Sequence, residues 1–458
     1  MMGMKEILQS QKTYFKGNST LSIDFRINNL RKLKRILKEN EDEILEALNK
    51  DLGKSHFEGY ATELGIVYEE INLAVKNVRK WARRERVKSS IIYYPSKSYI
   101  YKEPYGVALI IGPFNYPFQL VISPLIGAIS AGNCAIIKPS EHSIETSRIL
   151  EKIINSNFEE SFLKVVEPSG GKELVSELLD LDFDYIFFTG SVKVGKIVME
   201  MAAKRLTPIT LELGGKSPCI VDKDADIKKS AKRIVWGKFL NAGQTCVAPD
   251  YMYVHSDIKE KLLSEMVKEI KIQFGVNHIE SSDFPRIISE REIDRISSYI
   301  KDGDVYYGGE IIKEGRYISP TLLINIKEGS RIEEEEIFGP ILPIYEFRNL
   351  DEVLCKINSG EKPLALYYFS EDDEKVEKVL KESTSGGVTI NDTIIHVASS
   401  HLPFGGVGNS GIGEYHGKAS FDTFSHRKSV LKRGTFMEFP FRFPPYKNRI
   451  KLLKKIMK

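Results

Sequence analysis

The chain has 458 residues, 42% of them hydrophobic, enough to enclose more than one core, so two or three structural domains are expected. Its 66 Lys and Arg nearly cancel 63 Asp and Glu, leaving a net charge of +3, a field too weak to recruit nucleic acid. The four cysteines (Cys134, Cys219, Cys246, Cys355) lack CxxC or metal-ligand spacing, which argues against a disulfide framework and a metal site and for a reducing cytoplasm.

Met1 to Lys16 contains no apolar signal-like core, and no run approaches the roughly 18 apolar residues that span a bilayer, so neither export nor membrane insertion is expected. From Phe25 to Asn49, Leu30, Leu33, Ile36, Leu37, Ile44, Leu45 and Leu48 recur at helical spacing, and Leu64 to Val87 repeats the pattern. An antiparallel helical pair is predicted. Ile91 to Tyr101 then changes period around Pro95, as in a protruding hairpin.

After Gly106, strand-like runs (Val107–Ile111, Cys134–Lys138, Leu163–Val166, Tyr185–Thr189) alternate with helical ones starting at Pro117, Ser143, Lys172 and Val192. This alternation predicts a parallel sheet with crossover helices, which binds nucleotides beyond the carboxyl ends of its strands. A G-x-G-x-x-G fingerprint is absent; Thr189-Gly190-Ser191-Val192-Lys193-Val194-Gly195 stands instead, where a helix start offers unpaired N–H groups to a pyrophosphate.

A second alternation runs from Cys219–Val221 through Asp226–Phe239, Tyr251–His255 and Ile258–Ile272 to Ala365–Phe369 and a helix ending near Ser383. Between its first helix and second strand lies Asn241-Ala242-Gly243-Gln244-Thr245-Cys246. A lone cysteine is more commonly a small buried hydrophobe, but here a glycine lets backbone and ligand approach a candidate thiolate closely. The later run Gly405 to Gly413 reads as too polar and flexible to be core.

Four stretches taken together, Gly112-Pro113-Phe114-Asn115-Tyr116-Pro117, Leu211-Glu212-Leu213-Gly214-Gly215-Lys216, Gly243-Gln244-Thr245-Cys246 and Glu336-Ile337-Phe338-Gly339-Pro340, resemble the aldehyde dehydrogenase superfamily. Leu402 to Gly411, Tyr415-His416-Gly417-Lys418 and Phe424-Ser425-His426-Arg427 resemble its class 3 branch, and the likeness covers roughly Phe25 to Arg433. It implies an α/β fold with a Rossmann-type cofactor domain (1–87 and 104–209), an α/β catalytic domain (210–392), a β-hairpin bridging and oligomerisation element (88–103 and 393–434) and a basic tail (435–458).

The resemblance implies oxidation of medium-chain, fatty or aromatic aldehydes to acids with reduction of NAD, NADP being tolerated. Cys246 would be the nucleophile, Asn115 and the Cys246 N–H the oxyanion donors, and Glu212 the base that activates water. Lys138, Glu141, Gly190, Ser191, Gly195, Leu213, Glu336 and Phe338 would hold the cofactor, Glu141 at the adenosine ribose. Tyr116, Trp236, Leu240, Thr245 and Ile394 would line the aldehyde tunnel. Phe114 stands where this family motif commonly has tryptophan, which alters packing beside Asn115.

Two other readings share the scaffold. A CoA-acylating enzyme would pass the acyl group to CoA, against which Glu212 argues, and a non-catalytic binding protein is opposed by the joint presence of Cys246, Glu212 and Asn115. A homodimer is expected from the hairpin edge and the short N-terminus. Tyr446 to Lys458 interleaves cations with Ile450, Leu453 and Met457, so it is read either as a solvated end or as a basic amphipathic helix making weak peripheral contact with anionic membrane.

Overall fold

The computed structural model describes residues 3–438, 442–446 and 450–456. The first sheet runs Leu163–Val165, Cys134–Lys138, Val107–Ile111, Tyr185–Thr189, Ile209–Glu212, all parallel, with Gly411–Ile412 antiparallel at its edge. Val107–Ile111, Cys134–Lys138 and Tyr185–Thr189 are buried at every position. Helices cover both faces of such a sheet, so its strands read as unbroken apolar runs instead of alternating ones.

The N-terminal layer contains Ile23–Glu39, Glu41–Leu52 and Gly65–Trp81, packed on the crossover helices Gln119–Ala131 and Ile144–Asn157. The single helix expected over Phe25–Asn49 is two, because Asn40 leaves helical geometry (φ −117°, ψ 19°) and its Nδ2 donates to the Ile36 carbonyl at 2.7 Å. An unforeseen helix, Met4–Lys16, precedes them; its buried Gln11 donates to the carbonyls of Ala135 and Glu160 at 3.1 and 3.0 Å.

The second sheet runs Asp304–Tyr307, Thr321–Ile324, Ile341–Phe347, Tyr251–His255, Pro218–Val221, Ala365–Phe369, Gly387–Ile390, parallel except for the first strand. Ile209–Glu212 ends in one sheet and Pro218–Val221 begins in the other, so the five residues between them bridge the cleft where the sheets meet.

Two expectations need correction. The segment around Pro95 does form a hairpin, Glu85–Val87 antiparallel to Ser96–Pro104, but its bounds are wider than Ile91–Tyr101 and Ser425–Arg433 adds a third strand, so Ser96–Pro104 is the central strand of a third sheet. The glycine-rich return is not wholly outside the core either, since Gly411 and Ile412 pair with Glu212 and Leu211. Side-chain-poor backbone is what lets that return pack directly on the first sheet.

Of the tail, a helix over Ile450–Ile456 is described, with Ile450 and Leu453 exposed; Lys447, Asn448, Arg449, Met457 and Lys458 lie outside the described residues.

Candidate active site

Helix Ile227–Phe239 ends in a turn that no regular element could supply. Asn241, Ala242 and Gly243 hold φ values of 52°, 50° and 75°, three left-handed residues in succession. Such a conformation costs a side-chain-bearing residue about 1–2 kcal/mol, so surrounding bonds must hold it. The Gln244 side chain does: its Nε2 donates to the Asn241 and Arg286 carbonyls (3.1 and 3.0 Å) and its Oε1 accepts from Ile288 N–H (2.9 Å). At Gly243 a Cβ would sit 2.3 Å from the Gly339 carbonyl oxygen, so only glycine allows the turn to lie against the Glu336–Pro340 loop.

The turn delivers Cys246 to one wall of a cavity of about 450 Å³ between the two sheets. Asn115, Glu212, Lys138, Glu141, Gly190, Ser191, Leu213, Glu336 and Phe338 line the same cavity. Thus all three expected catalytic residues and every expected cofactor residue except Gly195 converge there. Gly195 lies behind the wall, where a Cβ would come within 2.5 Å of Leu213 Cδ2.

Asn115 is buried, and its Nδ2 donates to the Gln244 carbonyl at 2.9 Å, which fixes the amide plane beside the turn. Burial, followed by the Glu336 and Glu212 carboxylates, pushes the Cys246 thiol up to about 12. Glu212 is 3% exposed, and neither carboxylate oxygen has a hydrogen-bond partner among the described residues. Burial therefore drives its carboxyl well above the ordinary range. A buried, unpartnered carboxyl is costly, and such a group at a cavity wall is a mark of function.

Glu336 accepts from Gly215 N–H at 3.1 Å, and a Cβ on Gly214 would meet its Oε2 at 2.1 Å. Burial and then Asp250 push this carboxyl up to about 8. Arg295 and Asp250, neither foreseen from sequence, hold the loop: Arg295 Nη2 donates to the Ile337 carbonyl at 2.9 Å, and Asp250 Oδ1 accepts from Ile337 N–H at 2.9 Å. Phe338 follows with φ 49° and meets Phe114 edge to face, ring centres 5.8 Å apart.

At the far end of the cavity Lys138, 2% exposed, pairs with Glu141. Burial raises the Glu141 carboxyl, but the hydrogen bond and charge of Lys138 outweigh it and leave the group below its ordinary range. Ser191 caps helix Val192–Ala203 by accepting from Val194 N–H at 3.4 Å, so the helix start opens on the cavity. A buried lysine paired with a part-exposed carboxylate, a helix N-terminus and a glycine approach in one trough fit a dinucleotide.

The family model described as "Aldehyde dehydrogenase family" matches residues 3–430. The chain belongs to the aldehyde dehydrogenase family. It is 48% identical over 449 residues to the 4,4'-diaponeurosporen-aldehyde dehydrogenase of Staphylococcus aureus (strain NCTC 8325 / PS 47), covering 98% of this chain and 97% of that one. It is 44% identical over 447 residues to the "Aldehyde dehydrogenase, dimeric NADP-preferring" of Rattus norvegicus, with 97% and 98% covered. A solved structure titled "Substrate bound state of Staphylococcus Aureus AldH" superposes with a TM-score of 0.97 at 47% identity, covering both chains fully. The protein is therefore an aldehyde dehydrogenase that uses NAD or NADP to oxidise aldehydes to acids.

Within this aldehyde dehydrogenase the five expected substrate residues do not line the 450 Å³ cavity. Tyr116 and Thr245 join their hydroxyls at 2.7 Å, buried beside the nucleophile turn. Trp236 is 39% exposed and lines a separate surface depression with Lys229, Lys232, Arg233 and Asp392. The loop carrying Ile394 crosses the same helix, where Thr393 Oγ1 donates to the Arg233 carbonyl at 2.9 Å.

Proposed function

We propose that Cys246, Asn115 and Glu212 carry the aldehyde oxidation, with aldehyde and cofactor approaching the nucleophile turn from opposite sides. The observation that supports this most strongly is the unpartnered Glu212 carboxyl, opening on the cavity that Cys246 and Asn115 share. Attack is made by the thiolate, so the Cys246 proton passes to solvent before the sulfur adds, leaving Glu212 free for water. The thiolate adds to the carbonyl carbon. The resulting oxyanion takes hydrogen bonds from Asn115 Nδ2 and the Cys246 N–H.

Lys138, Glu141, Ser191, Leu213, Glu336 and Phe338 would hold NAD or NADP, which would supply the hydride acceptor; loss of hydride from the adduct carbon leaves a thioester on Cys246. Glu212 then takes a proton from water, whose oxygen attacks the thioester carbon; the C–S bond breaks, the acid leaves and the proton held by Glu212 returns to the Cys246 sulfur. Residues 1–87 and 104–209 are assigned to cofactor binding and 210–392 to the chemistry on this reading.

An apolar aldehyde is the proposed substrate class, medium-chain, fatty or aromatic, in keeping with Tyr116, Trp236, Leu240 and Ile394 on the aldehyde side and with the named aldehyde of the Staphylococcus aureus relative. The chain is further proposed to be a cytoplasmic homodimer. Support comes from the "dimeric" rat relative and from two strand edges without a partner strand among the described residues, Ser425–Arg433 and Gly387–Ile390. No helix among the described residues is long and apolar enough to cross a membrane. The exposed Ile450, Lys451, Leu453, Lys454 and Lys455 of the tail helix favour weak peripheral contact with anionic lipid.

The test follows reduced cofactor with hexanal or benzaldehyde, NAD or NADP, with and without CoA, for wild type and Cys246→Ala. Free acid formed without CoA, and none by the variant, is expected. An absolute need for CoA, or activity without the thiol, would overturn the assignment.

A further inference from the structure

The helical layer over the first sheet sends three charged side chains inward behind the nucleophile turn. Lys54, Glu58 and Glu63 follow helix Glu41–Leu52 on a stretch that includes the π-helical turn Tyr60–Leu64. Lys54 and Glu63 are fully buried and Glu58 is 7% exposed.

Their bonds go to both loops that carry reacting groups. Lys54 Nζ donates to Glu63 Oε1 at 2.6 Å and to the Asn115 carbonyl at 2.9 Å, with the ammonium 4.0 Å from the centre of the Tyr116 ring. Glu63 Oε2 accepts from the N–H groups of Phe118 and Gln119 at 2.9 and 3.1 Å, where the Asn115 loop enters its helix. Glu58 Oε1 accepts from Asn241 N–H at 2.9 Å, at the first left-handed residue of the nucleophile turn. Asn241 Nδ2 closes the network, donating to the Asn115 carbonyl at 2.9 Å and the Gln244 carbonyl at 3.0 Å.

A buried ion pair is a poor device for stability alone, because apolar side chains of equal volume hold a fold as well or better. What it supplies is directed bonds. Here they fix the carbonyl of Asn115 with two donors and the start of the Cys246 turn with one acceptor. A displacement of about 1 Å between reacting groups costs on the order of 10²-fold in rate.

We propose that Lys54, Glu58 and Glu63 form a positioning cluster that sets Asn115 and Cys246 relative to each other for attack on the aldehyde. The proposal rests on the roles given above to those two residues. None of the three side chains lines the cavity that Cys246 and Asn115 share; they act through backbone. Burial pushes Glu58 up to about 7 against the pull of Lys54, so glutamine is a close copy of its neutral form.

The experiment uses the full chain and compares Lys54→Met/Glu63→Gln with wild type in single turnover, by KM for aldehyde and by dinucleotide affinity. The expected result is a loss of about 10²-fold in single-turnover rate, with both affinities within about threefold. A rate within threefold of wild type, or a rate loss matched by weaker cofactor binding, would overturn the proposal. Should the double variant fail to fold, Glu58→Leu and Glu58→Gln decide: glutamine, which keeps an oxygen for Asn241 N–H, recovers most of the rate lost with leucine, and equal rates for the two refute positioning. Cys246→Ala and Asn115→Ala run alongside. Activity in those would sink the underlying roles, whereas their inactivity beside fast cluster variants would sink the positioning alone.

Discussion

Replacing Glu212 by glutamine removes the charge and keeps the shape. The native carboxyl has no hydrogen-bond partner among the described residues and is 3% exposed, so the amide breaks no bond that the carboxylate was making. Fold and cofactor affinity should survive. Loss of a general base costs between about 10²- and 10⁴-fold, or about 2.7 to 5.4 kcal/mol in barrier. Because Glu212 serves water activation and not removal of the thiol proton, stopped-flow absorbance of reduced cofactor should resolve one rapid equivalent per site followed by a slow steady state.

Wild-type turnover should rise with pH as Glu212 ionises, with a midpoint above the ordinary carboxylate range, and the variant should lack that limb. Stability supplies a second reading. A carboxyl raised by burial keeps its proton in the folded state after the unfolded chain has lost it, so stability falls as pH climbs from the ordinary carboxylate range to the raised value. Glutamine abolishes this loss, and the melting temperature of the variant relative to wild type should increase with pH. Burst and steady state falling together, or a melting difference flat in pH, would refute the reasoning.

Gly243→Ala puts a Cβ 2.3 Å from the Gly339 carbonyl oxygen at φ 75°, and should lower kcat more than tenfold with secondary structure retained, checked by steady-state kinetics and circular dichroism. Glu141→Ala removes the carboxylate held by Lys138; the ratio of kcat/KM for NADP to that for NAD should rise several-fold, and an unchanged ratio would show that Glu141 does not face the ribose. Val430→Pro removes one donor on the strand Ser425–Arg433 and should convert dimer to monomer mass in light scattering, provided that strand is the edge that pairs.

Local pattern sufficed where one periodicity served one burial state. The apolar runs Val107–Ile111, Cys134–Lys138 and Tyr185–Thr189 and the crossover helices between them were legible because a doubly covered parallel strand admits almost nothing polar. The glycine, proline and polar motifs around Asn115, Glu212, Cys246 and Glu336 were legible too, since close backbone approaches leave few residue choices, as the contact of Gly214 with Glu336 illustrates. Only tertiary structure could decide which charges are buried. Lys54, Glu58, Glu63, Asp250 and Arg295 are residue types that ordinarily face solvent. Each is drawn partly or wholly out of solvent because a distant segment brings backbone groups to it, and a hydrogen bond made across more than 40 residues leaves no periodic trace in the sequence. The same holds for Gly411 and Ile412, whose pairing with Glu212 and Leu211 depends on a return of the chain that composition alone presents as a flexible loop.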